Sequence, residues 1–388
     1  MKFGAVAAVA MLMVAACGSN NTNVGNTRSQ PPTATIKPLD KVGDGEGQLN
    51  LIALEGYVDP SWAKPFTQQT GCIVNSRYAS SEEMASLMQD GGGGHYDMVS
   101  ATGDIGLRLI YRGDVKPMNE KLIPDWNNFQ TFFKSPPYNT IDGVHYGISL
   151  QWGPNLLLYN TTKFRIAPTS WNAVYDPSNK GIVTAYDYWI TIADAALYLS
   201  KSQPSLGIKD PYELTKKQFD AAVALLVQQR QLIKSYWVLA SDEIALFQDG
   251  TAYVGAASPY QTNQLKASGA PVADTMPSEG ATGWGDTWML ATKAQHPNCA
   301  YLWTEYVSTA HVQAAQALFF GETPVNTKAC AEMDALQAGS CAQYHADAPG
   351  SYFDTIKFWK TPVATCADGS QNCIPYDQWV SAWTTIKG

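Results

Sequence analysis

The chain of 388 residues is poor in the residue patterns that carry most metal and enzymatic chemistry. Its five histidines, His95, His145, His296, His311 and His345, lie scattered, and neither HExxH nor CxxC occurs. No zinc, redox or other cofactor site is therefore expected. There is no GxSxG elbow and no clustered His-Asp-Ser set, so the usual nucleophile constellation of a serine hydrolase is missing. A pair of carboxylates can hydrolyse without such a motif, and an exported hydrolase therefore stands as the alternative from another class. Gly91–Gly94 lacks the Lys-Ser/Thr of a phosphate loop and precedes a strand rather than a helix, which makes it a turn. Charged residues are only 15% of the chain, and 34 acids outnumber 26 bases, for a net charge of −8. That balance argues against nucleic acid and suits a cationic ligand. No internal repeat is found. Past the first residues, no run is apolar enough to cross a membrane.

Those first residues are distinctive. Lys2 precedes an uncharged apolar stretch from Ala5 to Ala16, too short for a membrane span. It ends Val14-Ala15-Ala16-Cys17-Gly18, which resembles the lipobox of bacterial lipoproteins. The resemblance implies a signal peptide over 1–16, cleavage before Cys17, and a diacylglyceryl group on its sulfur that anchors an exported protein to the membrane. Residues 17–47 are rich in Gly, Asn, Thr and Pro without apolar periodicity and read as a flexible tether. Removing Cys17 leaves six cysteines, Cys72, Cys299, Cys330, Cys341, Cys366 and Cys373, an even number that suggests disulfides in an exported chain. Cys330/Cys341 and Cys366/Cys373 could close small loops, which would leave Cys72 with Cys299. Six cysteines allow about 15 connectivities, so spacing does not decide among them.

The body alternates strand-like and helix-like runs. Strands are expected at Gln48–Leu54, Ile73–Tyr78, Tyr96–Ser100, Leu156–Asn160, Gly181–Asp187 and Thr251–Ala256. Helices are expected after Asp59-Pro60, after Ser80-Ser81-Glu82-Glu83, over Ile105–Tyr111 and Ile190–Leu199, from Lys216 to Trp237, and from Pro297 to Phe320. The tail from Thr323 looks loop-rich. This alternation predicts an α/β fold with mostly parallel, doubly wound sheets.

One stretch has a chemical character of its own. In Gly283-Trp284-Gly285-Asp286-Thr287-Trp288, Trp284 and Asp286 are two apart, so an extended backbone turns both to one face. An indole beside a carboxylate suits an organic cation. Spacing alone equally allows a strand entering the core.

The order of motifs then resembles a known family. Glu55-Gly56-Tyr57-Val58-Asp59-Pro60, Phe66–Gly71, Tyr96-Asp97-Met98-Val99, Trp152-Gly153-Pro154-Asn155 with Tyr159-Asn160, and Gly280 through Asp286 are similar to landmarks of bacterial spermidine/putrescine-binding proteins, over about residues 48–330. The resemblance implies a two-lobed, type II-like periplasmic-binding-protein fold with ligand in the cleft between lobes. It implies lobes of roughly 48–150 plus 285–330 and 151–284 plus 331–388. It also implies a monomer that binds a small amine and passes it to the permease and ATPase subunits of an ABC importer. A receptor that scavenges or senses without its own permease is a further alternative. Carried over residue by residue, the resemblance points to Tyr57, Trp284 and Asp286, with Trp152 in a shared landmark. Glu55 lies beside the family's acid position, where Gly56 stands. Leu54 replaces an indole, and near Ser258 Tyr260 could substitute for another. Of an acid pair near Tyr186, Asp187 and Trp189, only Asp187 remains. Glu322 replaces a tyrosine, and Thr102 is the nearest hydroxyl to a serine-tyrosine pair.

Overall fold

The computed structural model describes residues 36–388. Cys17, the apolar leader and most of the expected tether lie outside the described residues.

The chain lays down β1 (Gln48–Ala53), β2 (Ile73–Tyr78), β3 (Met98–Thr102) and β4 (Val115–Lys116), then a small hairpin of β5 (Thr140–Ile141) and β6 (Val144–His145), then β7 (Ile148–Pro154). Asn155 alone separates β7 from β8 (Leu156–Asn160), which opens a second sheet. That sheet continues with β9 (Val183–Tyr186), β10 (Ile233–Trp237), β11 (Val254–Ala257) and β12 (Val272–Thr275). The chain returns as β13 (Ala281–Ala291), followed by β14 (Thr323–Pro324) and β15 (Ile356–Phe358). The first sheet runs β14-β7-β13-β3-β1-β2, with β4 and β15 also on β13; the second runs β10-β9-β11-β8-β12.

Both sheets are mixed, where mostly parallel ones were expected. β1 is parallel to β2 and β3, and β9 to β10 and β11. β13 is antiparallel to β3 and β7, and β8 to β11 and β12. The reason lies in the crossovers. A strand arriving from the other lobe enters its sheet from the end where the parallel strands finish, so it runs against them.

Local chemistry explains the elements that were anticipated. Asp59 caps the helix Pro60–Thr70 by accepting the Ser61 amide at 2.8 Å, with Pro60 in the first turn. Gly71 ends that helix at φ 75°, where a side chain would be strained. Other expectations need correction. The helix from Lys216 stops at Gln229, and Ile233–Trp237 is strand β10, since Ile, Tyr and Trp there favour a pleated sheet. The run 297–320 is two helices, Pro297–Ser308 and Ala310–Phe320. Thr309 between them is extended, and its hydroxyl caps the Tyr306 carbonyl at 2.8 Å. The tail is not merely loop: it supplies β15 and the helix Tyr376–Lys387, whose Trp379 and Trp383 complete the second hydrophobic core. The lobe boundary expected at 284/285 falls inside β13, and β15 joins the first sheet rather than the second.

Residues 39–46, read as tether from composition, are also part of the body. Leu39 and Val42 pack on the first core. Glu46 accepts the Asn298 and Cys299 amides, both at 2.9 Å, at the N-terminus of the helix Pro297–Ser308. Cys72–Cys299, Cys330–Cys341 and Cys366–Cys373 are bonded. The first closes 227 residues of sequence and ties the turn after the first helix to the helix Pro297–Ser308. Replacing Cys72 and Cys299 together by alanine should cost about 2–5 kcal/mol of stability. A thermal melt of that variant should show a clearly lower midpoint; an unchanged midpoint would mean that the bridge contributes nothing.

Candidate functional site

All eleven residues of β13 are buried, and near its start Thr282 accepts hydrogen bonds from Asn155, the residue that links the two sheets. Its register sets Trp284 opposite Gly153 and Asp286 opposite Thr102. The Trp284 ring occupies the space a side chain at position 153 would need. The Tyr138 hydroxyl does the same over Gly285.

Asp286 is 1% exposed. One carboxylate oxygen, Oδ2, accepts the Tyr57 hydroxyl, and the other, Oδ1, has no partner. Glu322, 8% exposed, sits just before β14, and its Oε2 is also without a partner. Gln151 Nε2 on β7 and the Tyr138 hydroxyl are buried and unpartnered too. Among the described residues, no lysine, arginine or histidine forms an ion pair with either acid. Burial pushes the Asp286 carboxyl up to about 8; the Tyr57 hydroxyl pulls it down, and Asp104 nearby adds to the rise. Burial also holds Glu322 well above the usual carboxylate range, with the Asp286 charge adding to it. The Tyr57 phenol is raised for the same reasons: burial first, then the charges of Asp286 and Glu322. A buried charge left unpaired costs several kcal/mol, so such a site wants either protons or a cation.

A second cluster joins the two halves. Glu82 accepts two bonds from Arg108 Nη1, at 3.0 and 2.8 Å, one from the Tyr376 hydroxyl at 2.8 Å and one from Trp189 Nε1 at 3.3 Å. The Tyr188 hydroxyl lies 2.6 Å from Asp104 Oδ2 and 3.2 Å from Glu82. Thr102 donates to Asp104 as well. Arg108 stands 4.2 Å over the Tyr376 ring. Burial would raise Glu82, but Arg108 and the hydrogen bonds outweigh it and hold the carboxyl low. Tyr186 and Trp237 stack at 4.5 Å where β9 and β10 end, with Trp237 Nε1 unpartnered.

Of the residues singled out from sequence, the structure brings Tyr57, Asp286 and Glu322 together, with Trp284 and Thr102 beside them. Four others fall elsewhere. Glu55 is exposed in the turn after β1. Trp152 is fully buried and stacks on Phe133 at 5.7 Å within the first core. Asp187 accepts Trp383 Nε1 at 3.0 Å and pairs with Lys387, so the last helix occupies it. Tyr260 is half-buried in the first turn of the helix Pro259–Ala267. Sequence reasoning missed Gln151, Tyr138, Glu82, Asp104, Arg108 and Tyr188. Gln151 had a signal: it stands two before Gly153 on one strand. Tyr138 and Arg108 had none. A cavity of about 330 Å³ lined by Lys201, Lys209, Glu279 and Lys357 lies apart from this place and contains none of the unpartnered atoms.

Two α/β lobes meet over a buried, acidic, aromatic junction, the kind of interlobe place where small ligands bind, and no cluster of His, Cys, Asp and Glu able to hold a metal is found among the described residues. The profile of the bacterial extracellular solute-binding proteins matches residues 61–348, and the chain belongs to that family. A putrescine/agmatine-binding protein of Pseudomonas aeruginosa is 23% identical over 73% of this chain and 79% of its own length. A putrescine/cadaverine-binding protein of the same organism is 25% identical over 67% of this chain and 74% of its own. Among solved structures, a spermidine/putrescine ABC transporter substrate-binding protein from Streptococcus pneumoniae superposes with a TM-score of 0.69 at 16% identity. It covers 88% of this chain and 99% of that one, which establishes the two-lobed fold.

The raised Asp286 carboxyl has a consequence for the empty protein. The folded state holds this proton more tightly than the unfolded one, so its stabilising contribution is complete below about pH 4. It is lost as pH rises toward the folded value of about 8. The slope is at most about 1.4 kcal/mol per pH unit for one group. Urea unfolding between pH 5 and 8 should show falling stability, and Asp286→Asn should flatten part of that slope. An unaltered slope in the variant would show that Asp286 does not hold the proton.

Proposed function

We propose that this chain is the solute-receiving component of an ABC importer for a small amine of the polyamine kind. One observation carries the reading: Asp286 and Glu322 are buried with unpartnered oxygens and without a basic partner among the described residues. An ammonium group supplies the missing positive charge and N–H donors, and Trp284 adds an aromatic surface for the attached methylenes. The names of the two Pseudomonas relatives, both of which include putrescine, support the same class. The lobes close by hinge motion on the ligand, and the Glu82–Arg108 cluster with Tyr188, Trp189 and Tyr376 holds them shut. The protein acts as a monomer, held to the membrane by acyl chains on Cys17, and delivers its ligand to a permease driven by an ATPase.

Two measurements test this. A thermal-shift panel of putrescine, cadaverine, agmatine and spermidine, beside amino acids, should show one or more amines raising the melting temperature. A ligand at 100 times its dissociation constant stabilises by about 2.7 kcal/mol. A flat response to every amine would sink the reading. Asp286→Asn should weaken the binding amine by about 1.5–3 kcal/mol, the loss of a charge-assisted bond, as read by calorimetry. Unchanged affinity would remove Asp286 from the site. For the anchor, Cys17→Ala should move the protein from the membrane fraction to the soluble one.

A further inference from the structure

The junction holds two carboxyl groups where one site would ordinarily need one. Asp286 lies on β13 and Glu322 just before β14, and each keeps an oxygen free. The groups facing them carry no positive charge. Tyr57 comes from the turn after β1, Gln151 from β7, and Tyr138 from the segment before β5. Among the described residues, the further titratable group acting on Asp286 is another acid, Asp104, from the helix Gly103–Arg112. The Arg108 guanidinium, in the neighbouring cluster, is paired with Glu82. Two neighbouring carboxylates, out of water and without a counter-ion, cannot both stay ionised.

We infer that the empty site holds at least one proton on the Asp286–Glu322 pair, and that an incoming ammonium group displaces it, so that ligand capture releases a proton to solvent. This rests on the amine reading above and adds a coupling to it. The balance is simple. A carboxylic acid and a hydrated ammonium ion become a carboxylate–ammonium pair, with one proton passed to the buffer. The ammonium keeps its own three protons and donates them to the Asp286 and Glu322 oxygens left free. Burial raises both carboxyls, Asp286 and Glu322, which agrees in direction. In consequence the protein grips its ligand more weakly in acid. Acidification refills the pair with protons, and the ligand must then expel them.

The test is calorimetric and uses the chain without its first sixteen residues, with the amine that gives the largest thermal shift. Titrations at pH 7 in phosphate and in Tris, whose ionisation enthalpies differ, count the protons released. A count of about one per ligand is expected, with affinity falling up to tenfold per pH unit from 7.5 to 6. Glu322→Gln should lower the count and flatten the pH dependence, whereas a merely structural role would weaken binding and leave the count intact. A count of zero with equal affinity at both pH values overturns the coupling while leaving the amine reading in place. The absence of heat and of thermal shift with every amine overturns both. The count on the unaltered protein decides the matter even where the variant folds poorly.

Discussion

The junction of this protein is organised by two acids, Asp286 and Glu322, buried without a basic partner among the described residues. Asp286 sits in the middle of a strand with no exposed residue, one oxygen held by Tyr57 and the other free. Such a group is costly in a folded chain unless something completes it. The surrounding packing shows how much of the sequence accommodates it. Gly153 makes room for the Trp284 ring, and Gly285 for the Tyr138 hydroxyl, so that aromatic groups close over the strand without expelling the acid. Hydrophobic burial supplies the stability, and the site draws on it.

A comparison of acids within the same fold sharpens this. Glu82 is partly buried, but Arg108, Tyr376 and Trp189 satisfy it, so it stays ionised and joins the halves. Asp187 is matched by Lys387 and Trp383. Both acids have their charge answered within the chain and serve its structure. Asp286 and Glu322 have theirs unanswered, which leaves their free oxygens for something that arrives from outside.

Much of the fold was legible along the chain. Asp59-Pro60 and Gly71 bracket a helix because capping and left-handed backbone are local effects. Alternation of strands and helices predicted an α/β fold, and the family landmarks predicted two lobes. What escaped was non-local. The direction of β13 depends on the end from which it enters the sheet. Strand β10 was hidden because five residues after an amphipathic helix continue its apolar content. Residues 39–46 look like tether by composition, and become part of the body through Glu46 at a helix end some 250 residues away.

The site divides in the same way. The sequence by itself determined that Trp284 and Asp286 share a face, because a strand alternates with a period of two. Its resemblance to the family pointed to Tyr57 and Glu322. Only the tertiary structure decided which suspects meet. It joined Tyr57, Asp286 and Glu322, turned Trp152 into the core, left Glu55 in solvent, and gave Asp187 to the last helix. The reason is physical: whether a carboxylate is paired depends on groups brought from distant parts of the chain, and no spacing rule along one strand contains that information.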